Sequence, residues 1–405
     1  MESTLAAAPV SLIQQLDFSL PQSAPFAKSR QQTTYQPSGG TTYGPLASQI
    51  IRFSIAESEA FLDPASVKVM FRVKNTNTTQ GNTLTPVSNV PSCMFSRMVV
   101  KAGGTILEDV NSYNAVSHMF QRTMNSHIVS DMEAEGFAGH TPMNGGVELR
   151  VGFTPLSGLL SQSKYIPLRY TTALSIELTV APSVEWLTNG DVLTNNTWEI
   201  TQPQLKCDLV NIESALAEQY AAHLLSSAPL PITFSSYHVS TQSLAQNATD
   251  FTINLARAVS RLQSVFIFMK GDDTATIKKA NALKSPGNED FSFKLQIGGK
   301  RYPLQDCEGF SESRAKLAQA VGIHASSAHG LNIAAAAYRA NEFIAAVDTE
   351  VVALGSSFSG VDLRAGDLLT VQMKGITQGQ ITSVTTVLLS QSIANIRDSG
   401  LDLLE

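Results

Sequence analysis

The residues able to carry chemistry in this chain are few, and their spacing decides what they can do. Two Gly-Gly pairs each follow an apolar run: Gly103-Gly104 in VVKAGGTILEDVNSYN (Val99–Asn114) and Gly298-Gly299 in LQIGGKRYPLQD (Leu295–Asp306). A phosphate-cradling loop needs GxGxxG or GxxxxGK[ST], and neither pair fits. Gly at a hairpin tip, where it supplies positive φ, fits both. His118, His127 and His140 come nearest to a metal set, but no carboxylate stands at ligand spacing beside them. His324 and His329 stand in a loop rich in Ser, Ala and Gly. Ser157-Gly158 and Ser359-Gly360 lack the GxSxG elbow. Asp272-Asp273 opens KGDDTATIKKANALKSPGNED, which could ligate a cation but reads as a solvated loop. Glu108 and Asp109 are adjacent, so on a strand they point to opposite faces and cannot act as a paired acid and base. These readings leave no catalytic residue, no cofactor-binding residue and no metal ligand, and the expectation is a non-enzyme without a cofactor.

The elements that would hold such residues are framed by the bulk properties. The chain has 405 residues, enough for two domains. Charged residues are only 15% and hydrophobic ones 43%, which suits buried or partner-covered surface rather than disorder. A net charge of −6 gives no global field favouring nucleic acid. Cys93, Cys207 and Cys307 are far apart and form no CxxC pair, so they suggest neither a disulfide framework nor a zinc site, and a reducing compartment is expected. No run approaches the 18 or so apolar residues of a membrane span. The opening MESTLAAAPVSLIQQLDFSL has no basic n-region, so no signal peptide is expected. On that basis the sequons at Asn77, Asn195 and Asn247 are expected to be unmodified.

Residues 1–45, rich in Ser, Gln, Pro, Gly and Thr, read as an extended N-terminal arm. Its apolar stretch Val10–Leu20 could dock as a helix turn or strand, and its charges (Lys28 and Arg30 against Glu2 and Asp17) cancel. Beyond it, period-two alternation dominates. Ile51–Ile55, Val67–Val73, Leu174–Val180, Phe251–Leu255, Phe291–Ile297 and Leu369–Lys374 all read as half-buried antiparallel strands. Helical spacing is confined to three places. One runs through Tyr113, Val116, Phe120 and Met124, capped by Asn111 or Ser112. A second is Ile212–Ser227, and the third is SESRAKLAQAVG, with Ser311 as cap and Gly322 as stop.

An internal repeat organises these elements. Ile51–Lys74 resembles Phe251–Lys270, the two Gly-Gly hairpins match, and Ala173 onward matches Asp367 onward. From Ile51 to Phe251 the separation is 200 residues; from Gly103 to Gly298 and from Leu174 to Leu369 it is 195. Three ordered matches at nearly one offset imply two β-sandwiches of one topology in tandem, joined near residues 213–230.

The ordered set resembles the double jelly-roll major capsid proteins of adenoviruses, tailless membrane-containing bacteriophages, nucleocytoplasmic large DNA viruses, polinton-like viruses and adintoviruses. The resemblance rests on MFSRMVVKAGGTILED (Met94–Asp109), SKYIPLRYTTALSIELTVAPS (Ser163–Ser183), LQIGGKRYPLQD and FSGVDLRAGDLLTVQM (Phe358–Met373). It covers roughly residues 45–405. It implies an all-β chain of two eight-stranded antiparallel jelly rolls, 46–225 and 226–405, with a few short helices and the arm. It further implies pseudo-hexameric homotrimers tiling an icosahedral shell, with neighbouring capsomers, minor capsid proteins and penton proteins as partners. The chain would then reside in the virion after assembly inside the host cell, without secretion. The arm lacks the Arg cluster of RNA-packaging capsid proteins, so no sequence-specific nucleic-acid binding is expected, and the arm would face an internal membrane or a minor protein. The alternative is a tandem β-sandwich that binds or acts on carbohydrate; such sites usually offer exposed aromatic platforms, whereas this chain has two tryptophans, Trp186 and Trp198, twelve apart near a polar turn, and an unexceptional 7% of aromatics.

Overall fold

A computed structural model describes residues 27–46, 49–57, 59–77, 83–139, 142–187, 197–245, 247–271, 283–322, 330–350, 359–364, 367–377, 381–398 and 400–404. Val10–Leu20, His140, Asn195, Asp272-Asp273, His324 and His329 lie outside them.

The first half carries β1 (Ala27–Tyr35), β2 (Thr42–Tyr43), β3 (Ile50–Ile55), β4 (Phe61–Asn75), β5 (Phe95–Ala102), β6 (Thr105–Asn111), β7 (Glu148–Phe153), β8 (Ile166–Pro167), β9 (Leu174–Val180) and β10 (Trp198–Ile212). The second carries β11 (Leu230–Ser243), β12 (Phe251–Leu255), β13 (Leu262–Gly271), β14 (Ser292–Ile297), β15 (Lys300–Glu308), β16 (Ala345–Asp348), β17 (Leu369–Lys374), β18 (Ile381–Arg397) and β19 (Gly400–Leu404). The helices are α1 (Tyr113–Thr123), α2 (Ser126–Ala134), α3 (Gly158–Ser161), α4 (Ser183–Trp186), α5 (Ser214–Leu225), α6 (Gly309–Ala320) and α7 (Ala335–Ala340).

The sheets repeat strand for strand. In the first half β1-β10-β4-β7 faces β3-β9-β5-β6; in the second β11-β18-β13-β16 faces β12-β17-β14-β15. Each half is therefore an eight-stranded jelly roll, with the short strands β2, β8 and β19 paired in addition to β10, β4 and β18 respectively. All pairings between named strands are antiparallel. The matched segments of the repeat take equivalent places: β3 with β12, hairpin β5–β6 with β14–β15, and β9 with β17. α5 follows β10 and precedes β11 along the chain.

Period-two burial explains why these strands form. β9 alternates buried and half-buried along its whole length, and β14 does the same in opposite phase. β13 departs from that rule: eight consecutive residues, Leu262–Met269, are buried because both of its faces are covered. Aromatic clusters fill both sandwiches. Phe71, Phe95 and Phe153 meet in the first, and Phe291, Phe310, Tyr338 and Phe343 in the second. One connected apolar cluster runs through both halves.

The two hairpin tips are built alike. Gly103 and Gly298 hold φ of +58° and +56°. Their N–H groups donate to the Ala173 and Leu368 carbonyls at 3.1 and 3.2 Å, tying each tip to the chain just before β9 or β17.

Two local readings are corrected, at β1 and at Ser311, and the cap of α1 is refined. β1 lies inside the stretch assigned to the arm by composition, where it pairs with β10 from Ala27↔Ile212 to Tyr35↔Leu205 and supplies the first strand of the first jelly roll. Ser112 does occupy the N-cap position of α1, but at φ +48° its side chain makes no capping bond. Ser311 lies within α6, whose N-cap is Glu308; the Glu312 carboxylate accepts from the Glu308 N–H at 2.9 Å instead. Gly322, at φ +75°, does follow the end of that helix, donating to the Gln319 carbonyl at 2.9 Å.

Candidate functional site

The two jelly rolls meet at a seam, and the most unusual side-chain chemistry of the chain sits there. From the first jelly roll come β6, α1 and α3; from the second come β11, β13, β19 and the chain around Glu342.

α3 rests directly on β11. Ser157 caps its start, its hydroxyl accepting from the Leu160 N–H at 3.2 Å. Gly158 approaches β11 so closely that an added Cβ would lie 1.6 Å from the Ser235 carbonyl oxygen. Lys164 extends the contact, donating from Nζ to the Pro231 carbonyl at 3.1 Å.

Along α1, Phe120 bridges the halves edge-on, with ring centroids 5.1 Å from Tyr237 and 5.3 Å from Phe266. Two residues on, Arg122 pairs with Glu342 at 3.1 Å. His118, on the same helix, is buried; desolvation, helped by Arg122 and Lys270, pushes its pKa down to about 3, so it is neutral. Lys270, at the end of β13, is also lowered by burial, with Glu185 acting in the opposite direction.

Glu108 is the buried carboxylate of the seam. Its Oε1 accepts from the Gly158 N–H at 2.8 Å, and its Oε2 accepts from the Leu159 N–H at 3.3 Å and from the Ser157 hydroxyl. Burial raises its pKa to about 7, against the opposing pull of those three hydrogen bonds. Asp109, its neighbour, faces the other way and holds Arg97 through two bonds of 2.8 and 2.6 Å. The pair is split as strand geometry requires, and it is no acid–base dyad. A cleft of about 300 Å³ opens beside Glu108, lined by Ile106, Asn111, Tyr237, His238, Asn254 and Arg257 among others.

The remaining sequence candidates are dispersed. His127 is exposed on α2 while His118 is buried on α1. Among the described residues no group of three or more His, Cys, Asp or Glu side chains could hold a metal ion. Ser157 is a helix cap, and Ser359 is buried, followed by Gly360 packed on the Arg261 backbone. Asn247 holds φ +60° in the turn between β11 and β12. The cysteines are buried free thiols, each pushed up to about 12 by desolvation. Trp186 and Trp198 are buried and pack edge-on at 4.9 Å, with the Trp198 indole N–H donating to the Ser183 hydroxyl at 2.8 Å. They are core residues and present no exposed aromatic platform.

Sequence reasoning did not find the seam. The only local signal was Ser157 ahead of Gly158-Leu159-Leu160, a cap before a short helix; the partners Glu108 and Ser235 are distant in sequence.

No family model matches the sequence, and no curated protein matches it. Solved structures do match in fold. VP54 of PBCV-1 superposes with a TM-score of 0.69 at 12% identity, covering 96% of this chain and 99% of that one. A chain of the Sputnik virophage gives 0.59 at 11% identity, covering 98% and 93%. The major capsid protein of Faustovirus gives 0.58 at 9% identity, covering 95% and 93%. At such identities the match is one of architecture, and it runs nearly end to end on both sides: the chain has the double jelly-roll fold of the viral major capsid proteins.

Proposed function

We propose that this chain is a major capsid protein, a structural and non-catalytic building block of an icosahedral DNA-virus shell. The observation that carries the reading is the superposition on VP54, which covers 96% of this chain and 99% of that one. Three copies, each with two similar jelly rolls, would make a capsomer of near-sixfold outline. The low charge content suits a surface covered by neighbours, since interface cores are depleted in charged residues. We assign residues 46–225 with β1 to the first unit, 226–405 to the second, and the segment ahead of β1 to contacts with a membrane, a minor capsid protein or a neighbouring capsomer. The protein would reside in the virion after assembly in a reducing interior.

Size-exclusion chromatography and negative-stain microscopy of the expressed chain test this directly. Stable trimers of hexagonal outline, or shells, are the expected result. A monomer at high concentration that is retained on a glycan column would overturn it.

A further inference from the structure

α5 connects the two jelly rolls, and its composition does not match its surroundings. Eight of its twelve residues are Ala, Leu or Tyr, and none is Lys or Arg. A helix this apolar belongs under cover. It is also too short to persist on propensity alone, since isolated helices below about 12–15 residues are marginal in water. Yet Leu224 is its one buried residue. On one flank of Leu224, Tyr220 meets the Phe61 ring at 5.9 Å, at the start of β4. The other flank is open. Ala217, Ala221 and Leu225 form a row there at four-residue spacing; the two alanines are half-buried and Leu225 is 73% exposed.

We propose that in the free chain this open row of α5 is covered by the chain's own residues 10–20, with Leu12, Leu16 and Leu20 laid along Ala217, Ala221 and Leu225. Three observations support that occupant. The first is where the segment is anchored: β1 begins at Ala27, which pairs with Ile212, two residues before α5. Residues 21–26 reach about 20 Å when extended, and a helix the length of α5 spans about 18 Å, so the connection is long enough. The second is pattern. In VSLIQQLDFSL, Leu12, Leu16 and Leu20 also recur every four residues, with Ile13 beside them, and two such rows pack as ridges into grooves. Pro9 and Pro21 bound the stretch, where a helix starts and stops readily. The third is charge. Neither α5 nor residues 1–26 carries a Lys or Arg, which argues against an anionic lipid surface as the occupant. The contact lies within one chain, so it stands or falls separately from the capsid reading.

Hydrogen–deuterium exchange on the full chain and on a chain lacking residues 2–26 tests it. The deletion should speed exchange of α5 peptides by about tenfold or more, the cost of uncovering one leucine, while β18 peptides stay constant. In the full chain, Leu16→Asp should act as the deletion does. Gln14→Asp, which adds the same charge off the Leu12–Leu16–Leu20 face, should leave α5 unchanged. Equal α5 exchange with and without residues 2–26, or equal effects of the two substitutions, overturns the proposal. Mixing an isotope-labelled truncated chain with the full chain separates the chain's own segment from a second copy's. The truncated chain's α5 should stay fast; its protection by full chains would assign the occupant to a neighbour and overturn the proposal. Protection of α5 in the full chain that arises only on adding phosphatidylglycerol vesicles would overturn it in favour of lipid.

Discussion

Gly158 and Ser235 meet backbone to backbone across the seam, with no room for a methyl group between them: an added Cβ would lie 1.6 Å from the Ser235 carbonyl oxygen. The obstacle is backbone on both sides, so no rotamer change relieves it. Gly158→Ala must push α3 off β11 and disturb the three hydrogen bonds at Glu108. A loss of about 3 kcal/mol or more is expected by urea denaturation, at the upper end of overpacking costs. Limited proteolysis should then cut the chain between the halves, near α5, before it cuts within either one.

The hairpin tips offer an internally controlled comparison. Gly103 and Gly298 hold positive φ, and a Cβ there would sit 3.0 Å from the Thr172 hydroxyl oxygen and 2.5 Å from the Asp367 carboxylate respectively. Their neighbours Gly104 and Gly299 would meet nothing within 4 Å. Alanine at 103 or 298 should cost about 1–2 kcal/mol, the larger loss at 298. Alanine at 104 or 299 should stay within about 0.5 kcal/mol of the native protein. Midpoints of thermal or denaturant unfolding would show the pattern, and equal losses at all four positions would contradict it.

Cys93, Cys207 and Cys307 are buried, and desolvation holds each as the neutral thiol, with its pKa pushed up to about 12. The thiolate is the reactive form. A thiol-specific chromogenic reagent at neutral pH should therefore label none of the three in the native chain and all three after denaturation. Rapid native labelling of any one would show that its surroundings open readily.

Truncations from the N-terminus should divide sharply at β1. Removing residues 2–26 leaves every described strand of the first jelly roll in place, and the chain should fold with little change in Tm. Removing residues 2–40 also takes away β1, which pairs with β10 along nearly its whole length and carries Arg30, bonded to Asp63 at 2.7 Å and Asp208 at 2.8 Å. That deletion bares one edge of β10 and should give an aggregation-prone product. Circular dichroism and light scattering distinguish the two outcomes.

Alternation made most of this fold legible. Strands with one face in the core and one outside, such as β3, β9, β12, β14 and β17, announce themselves in sequence, and their repetition at a nearly fixed offset exposes the tandem. β1 is not visible in the sequence because Ala27–Gln32 are exposed on both faces, so AKSRQQTTY carries no apolar period; backbone pairing with β10 and the ion pairs of Arg30 hold it in the sheet. The cap at Ser311 was misplaced because a serine there looks the same whether it precedes a helix or lies in its first turn; Glu312, reaching back to the Glu308 N–H, settles the boundary. Glu108 was judged only against Asp109. What gives it meaning is Gly158, fifty residues later, and no local pattern links the two.

The long inner strands β10 and β18 each bind a neighbouring strand on both sides, β1 and β4 for the first and β11 and β13 for the second. Antiparallel ladder bonds run perpendicular to the strands. A pull along β18 loads its ladders in shear, so their bonds carry the force together. A pull across the sheet opens the same bonds one after another, like a zip. Each jelly roll is thus mechanically anisotropic, stiff along its strands and compliant across them, and a wall built from such units would owe its toughness to the direction in which they stand.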